Sequence, residues 1–330
     1  MITRHGFALT ALAIVAGLSV PKIEAADFPT KPIRVVVAFT PGGGLDTVAR
    51  TLQSAMIKSL GQQVIVDNRP GASGAIAAGI VMKAAPDGHT LFFASAADMV
   101  YGPLQNDATG YDARKDFKAI TLTHRIPYLI VVHSSSPLRT IQEFIALAKK
   151  EPGKLTYGSW GAGSSNRMGM ELFARETGTK FLQIPYSGSA QTIVELLARR
   201  HDFGVESPGA SRAHRETGAL RPLVIAEPVR MPALPDIPTM VESGYPRVLF
   251  YSYGGFLAPA GTPDAVIDRL QRVIRNAVNS VEISAFLNRS GWVPVASSPK
   301  EFGEFIEAEM ILWSKLIADV KRADAAVGSR

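Results

Sequence analysis

Residues 33–60, IRVVVAFTPGGGLDTVARTLQSAMIKSL, decide the fold. The unbroken apolar run Ile33, Val35, Val36, Val37, Ala38, Phe39 is the pattern of a strand buried on both faces, as in a parallel sheet. The period then changes. Leu45, Val48, Ala49, Leu52, Ala55, Met56 and Leu60 recur at helical spacing, and Gly61 stands where it can cap the helix C-terminus. Thr40, Pro41, Gly42, Gly43 and Gly44 join the two, so the loop is nearly bare of side chains and its amides can approach whatever lies above the sheet. Amides at a helix N-terminus, backed by the positive end of the macrodipole, prefer an anion. A phosphate-binding P-loop would need Lys and Ser or Thr after its last glycine, where Leu45 and Asp46 stand. A dinucleotide fingerprint lacks its third glycine here, and Asp46 would bring a carboxylate close to a pyrophosphate. A small carboxylate, satisfied by one or two amides and a hydroxyl, suits the loop better; the bland alternative is a tight turn with no ligand.

Upstream, Arg4 and His5 precede an apolar run from Phe7 to Val20, then Pro21 and a short polar stretch ending in small residues. That is the layout of a secretory signal peptide over residues 1–25, with cleavage after Ala25 and the periplasm as destination. The run is too short to span a bilayer comfortably. With no cysteine in the chain, a lipid-anchored lipoprotein, structural disulfides and thiol chemistry are all excluded. The formal charge of +6 becomes +5 once residues 1–25, which hold Arg4, Lys22 and Glu24, are set aside. No run of five like charges occurs, so nucleic acid is a poor partner; the mild basic balance suits a small acidic ligand or is a solvated face.

About 305 residues beyond Ala25 exceed what one hydrophobic core supports, which implies two lobes. After the opening unit, Val64–Val66 and Leu91–Ala94 read as further strands around a small-residue helix opened by Gly71 and Gly74. That alternation makes an α/β fold with right-handed crossovers. From Tyr128 to His133 comes another apolar run, followed by a capping box at Thr140 and Glu143. Leu155–Gly158 then enters a second glycine-rich loop, residues 158–165, and a helix through Met168, Leu172 and Phe173, repeating the opening design. Two such units are expected to face each other across a cleft. A third helix start follows the strand Phe181–Ile184, at Pro185-Tyr186-Ser187-Gly188-Ser189. Asp202–Glu206 and Leu223–Ala226 read as short strands, and Leu249–Leu257 as an extended piece returning to the first lobe. Thr262-Pro263 begins a helix with proline in its first turn, and Ser298-Pro299-Lys300-Glu301 begins the last one. Phe302, Phe305, Ile306, Met310, Trp313 and Ile317 line that helix as ordinary core.

FPTKPIRVVVAFTPGGGLDTVAR, with GQQVIVDNRPGASG, APDGHTL, KDF, PGKLTYGS, IPYSGSA, GALRPL, LPDIPTMVESG and FLAPAGTP, resembles the tripartite tricarboxylate transporter substrate-binding proteins, also called Bug receptors. The resemblance runs in order over nearly all of the chain past residue 25. It implies a two-lobed periplasmic binding protein of the type II-like flytrap kind: each lobe a mainly parallel sheet flanked by helices, with two crossover strands. It assigns residues 26–127 and 251–330 to lobe 1 and 128–250 to lobe 2. Its implied partners are a small carboxylate and membrane transporter subunits, the receptor being a monomer. Neither catalysis nor any cofactor or metal is implied.

Carried over residue by residue, the resemblance implies that lobe 1 contributes Phe39, Gly42, Gly43, Gly44 and Asp46, with Asn68 and Gly71 supporting or lining the site and Ser95 near it. Lobe 2 would contribute Gly161, Gly163, Ser164, Ser165, Tyr186, Gly188, Ser189 and Glu206. Two departures bear on the ligand. Trp160, where many relatives have Ser, either stacks on an aromatic ligand or covers the loop from outside. Arg167, where relatives usually have His, either forks to a carboxylate or faces water. Tyr253 replaces a common Trp on the return crossing, and the cluster Arg199-Arg200-His201 is expected on the surface, where a membrane partner could dock. The competing outputs are a ligand-sensing adaptor for a sensor kinase and a periplasmic hydrolase. The hydrolase reading is weak, because no Gly-x-Ser-x-Gly elbow exists and His89, His124, His133, His201 and His214 are scattered.

Overall fold

The computed structural model describes residues 28–106, 109–161 and 163–328; the expected signal segment lies outside the described residues. The opening stretch folds as strand β1 (Ile33–Val37) and helix α1 (Gly44–Leu60), which ends on Gly61 in the left-handed conformation with its N–H on the Ile57 carbonyl. Strands β2 (Val64–Asn68) and β3 (Thr90–Ser95) flank β1, both parallel to it. Val35 and Val37 enter the core on the α1 side, whereas Val36 packs on the opposite side with Phe92 and Ala94. Each such residue contributes roughly 1.5–3 kcal/mol by leaving water. That two-sided demand explains why the run is apolar without alternation.

Between the lobes the chain crosses by two long strands. Strand β4 (Phe117–Pro127) ends one residue before β5 (Leu129–His133), and β10 (Tyr251–Pro259) brings the chain back. The first sheet is ordered β11-β4-β10-β3-β1-β2, where β11 is Val293–Pro294. The second is β7-β6-β8-β5-β9, built from β6 (Thr156–Ser159), β7 (Leu182–Pro185), β8 (Phe203–Glu206) and β9 (Leu220–Ile225). Setting β11 aside, the two orders match strand for strand. In both, the strand just after a crossing, β10 or β5, is inserted antiparallel to its two neighbours. The sheets are therefore mixed, which refines the mainly parallel expectation: a strand that arrives from the other lobe is not tied by a βαβ crossover.

Strand β4 carries no unbroken apolar run, and so leaves no strand signal in the sequence. It buries Thr121, Thr123 and His124. Thr121 and Thr123 are accommodated because their hydroxyls donate to the Ser297 and Gly254 carbonyls, each at 2.8 Å. Helices α4 (Ile141–Lys150), α5 (Ser165–Thr177), α6 (Ser189–Leu197) and α7 (Pro208–Glu216) belong to the second lobe. Helices α2 (Ala75–Met82), α3 (Gly102–Gln105), α8 (Asp264–Val278), α9 (Val281–Arg289) and α10 (Pro299–Gly328) belong to the first. Pro263 is the N-cap of α8, one position before the first turn where the sequence suggests it. Met168 and Leu172 of α5 pack into the first lobe's core with Trp313 and Leu316 of α10. Among the described residues, no helix is long and apolar enough to cross a membrane.

Candidate functional site

Between the lobes lies a cavity of about 1010 Å³. From lobe 1 it is lined by Phe39, Gly43, Gly44, Gly71 and Ser95, and from lobe 2 by Trp160, Gly161, Gly163, Ser164, Ser165, Gly188 and Ser189. Gly42, Asp46, Asn68, Arg167, Tyr186 and Glu206 stand outside the lining. The loop geometry explains most of that division.

Asp46 is 2% exposed and faces back into its own loop. One of its oxygens accepts from the Gly42 amide at 2.9 Å, where Gly42 has φ 84, a conformation that favours glycine. Arg50 Nε reaches both Asp46 oxygens, at 3.1 and 3.0 Å, and Asn68 Nδ2 donates to Oδ1 at 2.9 Å. Asn68 Nδ2 also donates to the Phe39 carbonyl at 2.9 Å. Burial pushes the Asp46 carboxyl up, but Arg50, the Gly42 amide and Asn68 together pull it below the ordinary carboxylate range. Asp46 and Asn68 are thus the clamp under the glycine turn.

In lobe 2 the same task falls partly to Asn166, which the sequence does not single out. Its Nδ2 donates to the Gly158 carbonyl at 3.2 Å, and its Oδ1 accepts from the Trp160 amide at 3.3 Å and from Ser164 Oγ at 2.8 Å. Glu206, fully buried, accepts from the hydroxyls of Ser189 and Thr192. Burial drives Glu206 up to about 7 against those two hydroxyls. Trp160 lines the cavity edge-on to Tyr128, with ring centroids 5.6 Å apart, and its Nε1 donates to Thr192 Oγ1 at 3.3 Å. Arg167 pairs with Glu171 one turn on, at 3.8 Å. His201 is buried, not on the surface as expected, with ring nitrogens 2.9 and 3.0 Å from the Phe203 and Thr192 carbonyl oxygens. The ring of Tyr186 lies against it at 5.8 Å.

The lining also holds residues that the sequence does not mark: Asp98, His124, Tyr128 and Trp292. Ser165 Oγ and Tyr128 OH are hydrogen-bonded at 2.7 Å. His124 stacks on Trp292 at 5.4 Å, and burial lowers it to about 3, so this ring is neutral. No Lys or Arg lines the cavity among the described residues. A second hollow of about 650 Å³ on the first lobe is lined by charges that pair with one another, Arg114 with Glu307 at 3.3 Å and Lys118 with Asp264.

Helix starts complete the electrostatics. At α1, α5 and α6, which open on the cavity at Gly43, Ser164 and Gly188, no side chain caps the first-turn amides. By contrast α4 and α9 are capped by Thr140 and Ser280, and Ser298 accepts from the Glu301 amide at the start of α10. Amides left open at three converging helix starts are donors in want of an acceptor.

A profile described as "Tripartite tricarboxylate transporter family receptor" matches residues 48–321. The chain belongs to that family. Protein BugT of Bordetella pertussis is similar at 32% identity over 305 residues, covering 92% of this chain and 93% of BugT. Among solved structures, R. palustris Rpa4515 with adipate superposes with a TM-score of 0.76 at 32% identity, covering 88% of this chain and 97% of that one. MatC (Rpa3494) from Rhodopseudomonas palustris, with bound malate, gives 0.73 at 28% identity, covering 88% and 100%. This tripartite tricarboxylate transporter receptor thus shares a two-lobed periplasmic-binding-protein fold with proteins solved holding small carboxylates.

Proposed function

We propose that this receptor is a periplasmic solute-binding protein. It captures a small organic anion, a di- or tricarboxylate or an aromatic carboxylate, between its lobes and delivers it to a tripartite tricarboxylate-type membrane transporter. Residues 1–25 act as the cleavable signal peptide, residues 26–127 and 251–330 form the first lobe, and residues 128–250 form the second. The protein works as a monomer and has no catalytic role. One observation carries the proposal: three helices begin at the cavity with uncapped amides, in a lining that holds no Lys or Arg among the described residues. Such a site holds carboxylates by backbone donors and hydroxyls, with Gly43, Gly44, Gly161, Gly163, Ser164, Ser165, Gly188 and Ser189 as the contacting residues. Gly42, Asp46, Asn68 and Glu206 support the turns from beneath. A hydrogen bond to a charged group contributes about 1.5–3 kcal/mol net, so a handful across two lobes supports micromolar affinity. A ligand touching both lobes binds the closed form better than the open one, which gives closure its driving force.

The test is a thermal-shift screen of residues 26–330 against aliphatic and aromatic mono-, di- and tricarboxylates. Binding to the native state alone raises stability by about 2.7 kcal/mol at a hundredfold excess over Kd. A shift with one carboxylate class that Ser164→Ala with Ser165→Ala abolishes is the expected result. Shifts only with neutral or cationic solutes would overturn the anion reading.

A further inference from the structure

Among the described residues Asp98 is the one carboxylate in the cavity lining, and the clamps described above make no use of it. It sits in a single π-helical turn, Ala97–Tyr101, directly after β3. Such turns are rare and concentrate at functional sites. The side chain is 2% exposed, and its Oδ2 is occupied: the Ser95 amide donates to it at 2.8 Å and Ser95 Oγ at 2.9 Å. Tyr111 OH donates to the Asp98 carbonyl and so anchors the backbone. Asp98's own backbone N–H is a further donor to the carboxylate, and no hydrogen bond from another described residue reaches the other oxygen, Oδ1. It lies over Gly74, which also lines the cavity, and a Cβ at Gly74 would fall 2.5 Å from Oδ1. Gly74 has φ 88, and its missing side chain is what gives Oδ1 its place against the Gly74 Cα, at the wall of the cavity that both residues line. With Oδ2 held by two donors the carboxylate cannot turn Oδ1 away without breaking both.

We infer that Asp98 Oδ1 is a specificity-determining acceptor, so that this receptor selects carboxylates which also carry an N–H or O–H donor over plain dicarboxylates. The inference rests on the proposed function: the uncapped helix starts take the ligand carboxylate, and Asp98 takes an ammonium, amide or hydroxyl elsewhere on the same molecule. A second carboxylate at that position would face Oδ1 with no proton between them. A charged or neutral donor there completes the oxygen's hydrogen bonding. Among the described residues no Lys or Arg in the lining neutralises Asp98 in its place. Burial raises this carboxyl to about 6, so it is ionised at mildly alkaline pH and protonated in acid.

The experiment is calorimetric titration of residues 26–330 at pH 8 with three acids of one chain length: adipate, 6-aminohexanoate and 6-hydroxyhexanoate. The donor-bearing acids are expected to bind at least tenfold tighter than adipate. In Asp98→Asn the amide oxygen must face the two Ser95 donors, which turns Nδ2 toward the cavity. The variant is therefore expected to reverse the order and favour adipate. Gly74→Ala, which places a methyl over Oδ1, is expected to erase the preference without reversing it. Adipate binding as tightly as the other two in the unaltered protein overturns the inference while leaving the receptor reading intact, and that comparison needs no variant to fold. An unchanged order in a folded Asp98→Asn protein overturns it equally. Failure of all three acids, and of the wider carboxylate panel, would remove the receptor reading and this inference together.

Discussion

In the first lobe Asp46 holds the Gly42–Gly44 turn with the Gly42 amide, Arg50 and Asn68 around it. In the second, Glu206 holds the start of α6 with the hydroxyls of Ser189 and Thr192. The positions correspond, since each carboxylate lies beneath a glycine-rich helix start that opens on the cavity. The electrostatics do not. Asp46 has a guanidinium beside it and is pulled below the ordinary range despite burial, whereas Glu206 has no cation beside it among the described residues and is driven up to about 7. A buried carboxylate can organise a loop as a charge with a counter-charge or as a near-neutral hydrogen-bonding group, and the surroundings decide which.

The largest expected effect comes from removing the charged clamp. Asp46→Ala strips the partner from the Gly42 amide, Arg50 and Asn68 at once and should cost about 2–4 kcal/mol, read as a lower midpoint in urea. A loss under about 1 kcal/mol would mean the turn holds itself, and the contrast with Glu206 would vanish.

Next is the seam where the lobes touch at α7. Gly209 of α7 lies so close to the loop after α9 that a Cβ would fall 2.2 Å from the Ser290 carbonyl oxygen. Gly209→Ala should force the lobes apart by an overpacking cost of about 1–3 kcal/mol, weakening ligand binding roughly fivefold or more with every lining side chain in place. Unchanged affinity, together with an unchanged scattering radius of the ligand-bound form, would show that the lobes absorb the methyl and that this seam does not govern closure.

The two clamps also predict opposite responses to pH. Glu206 has a folded pKa above its unfolded value, so its burial costs nothing below about pH 4.5 and the full amount above about pH 7. Stability should therefore fall from about pH 4.5 to about pH 7, with Glu309, also raised to about 7, and Asp98, raised to about 6, adding to the slope. Glu206→Gln should flatten part of that slope at a cost under about 1 kcal/mol near pH 7. The Asp46 contribution is present above its unfolded value and lost only as pH falls through a folded value lower than 3.8. Asp46→Asn should therefore leave the slope from the raised carboxyls intact and alter only the strongly acid side. Thermal unfolding of both variants across pH 3–8 separates the cases. An unaltered slope in Glu206→Gln would place the titration elsewhere.

The smallest effect belongs to Trp160→Phe, which keeps the ring against Tyr128 and loses only the donor to Thr192. About 0.5–1.5 kcal/mol of stability is expected. A far larger loss of ligand affinity than of stability would instead make the indole a contact for the ligand.

The sequence by itself determined the local units. An unbroken apolar run, a glycine loop and a period near 3.6 are short-range facts, and they specified β1, α1, the capping boxes at Thr140 and Ser298, and a chain too long for one core. They also marked where helices start, and so where the amides are. Which polar side chains face those amides was decided by tertiary structure alone. Asp46, in the first turn of α1, and Glu206, at the end of β8, turn beneath the loops, because a buried carboxylate goes where donors can satisfy it and donors such as Asn68 and Thr192 come from other elements. Asp98, His124 and Trp292 reach the cavity because β3, β4 and the segment after α9 converge there, a meeting of residues nearly 200 positions apart that no spacing along the chain encodes.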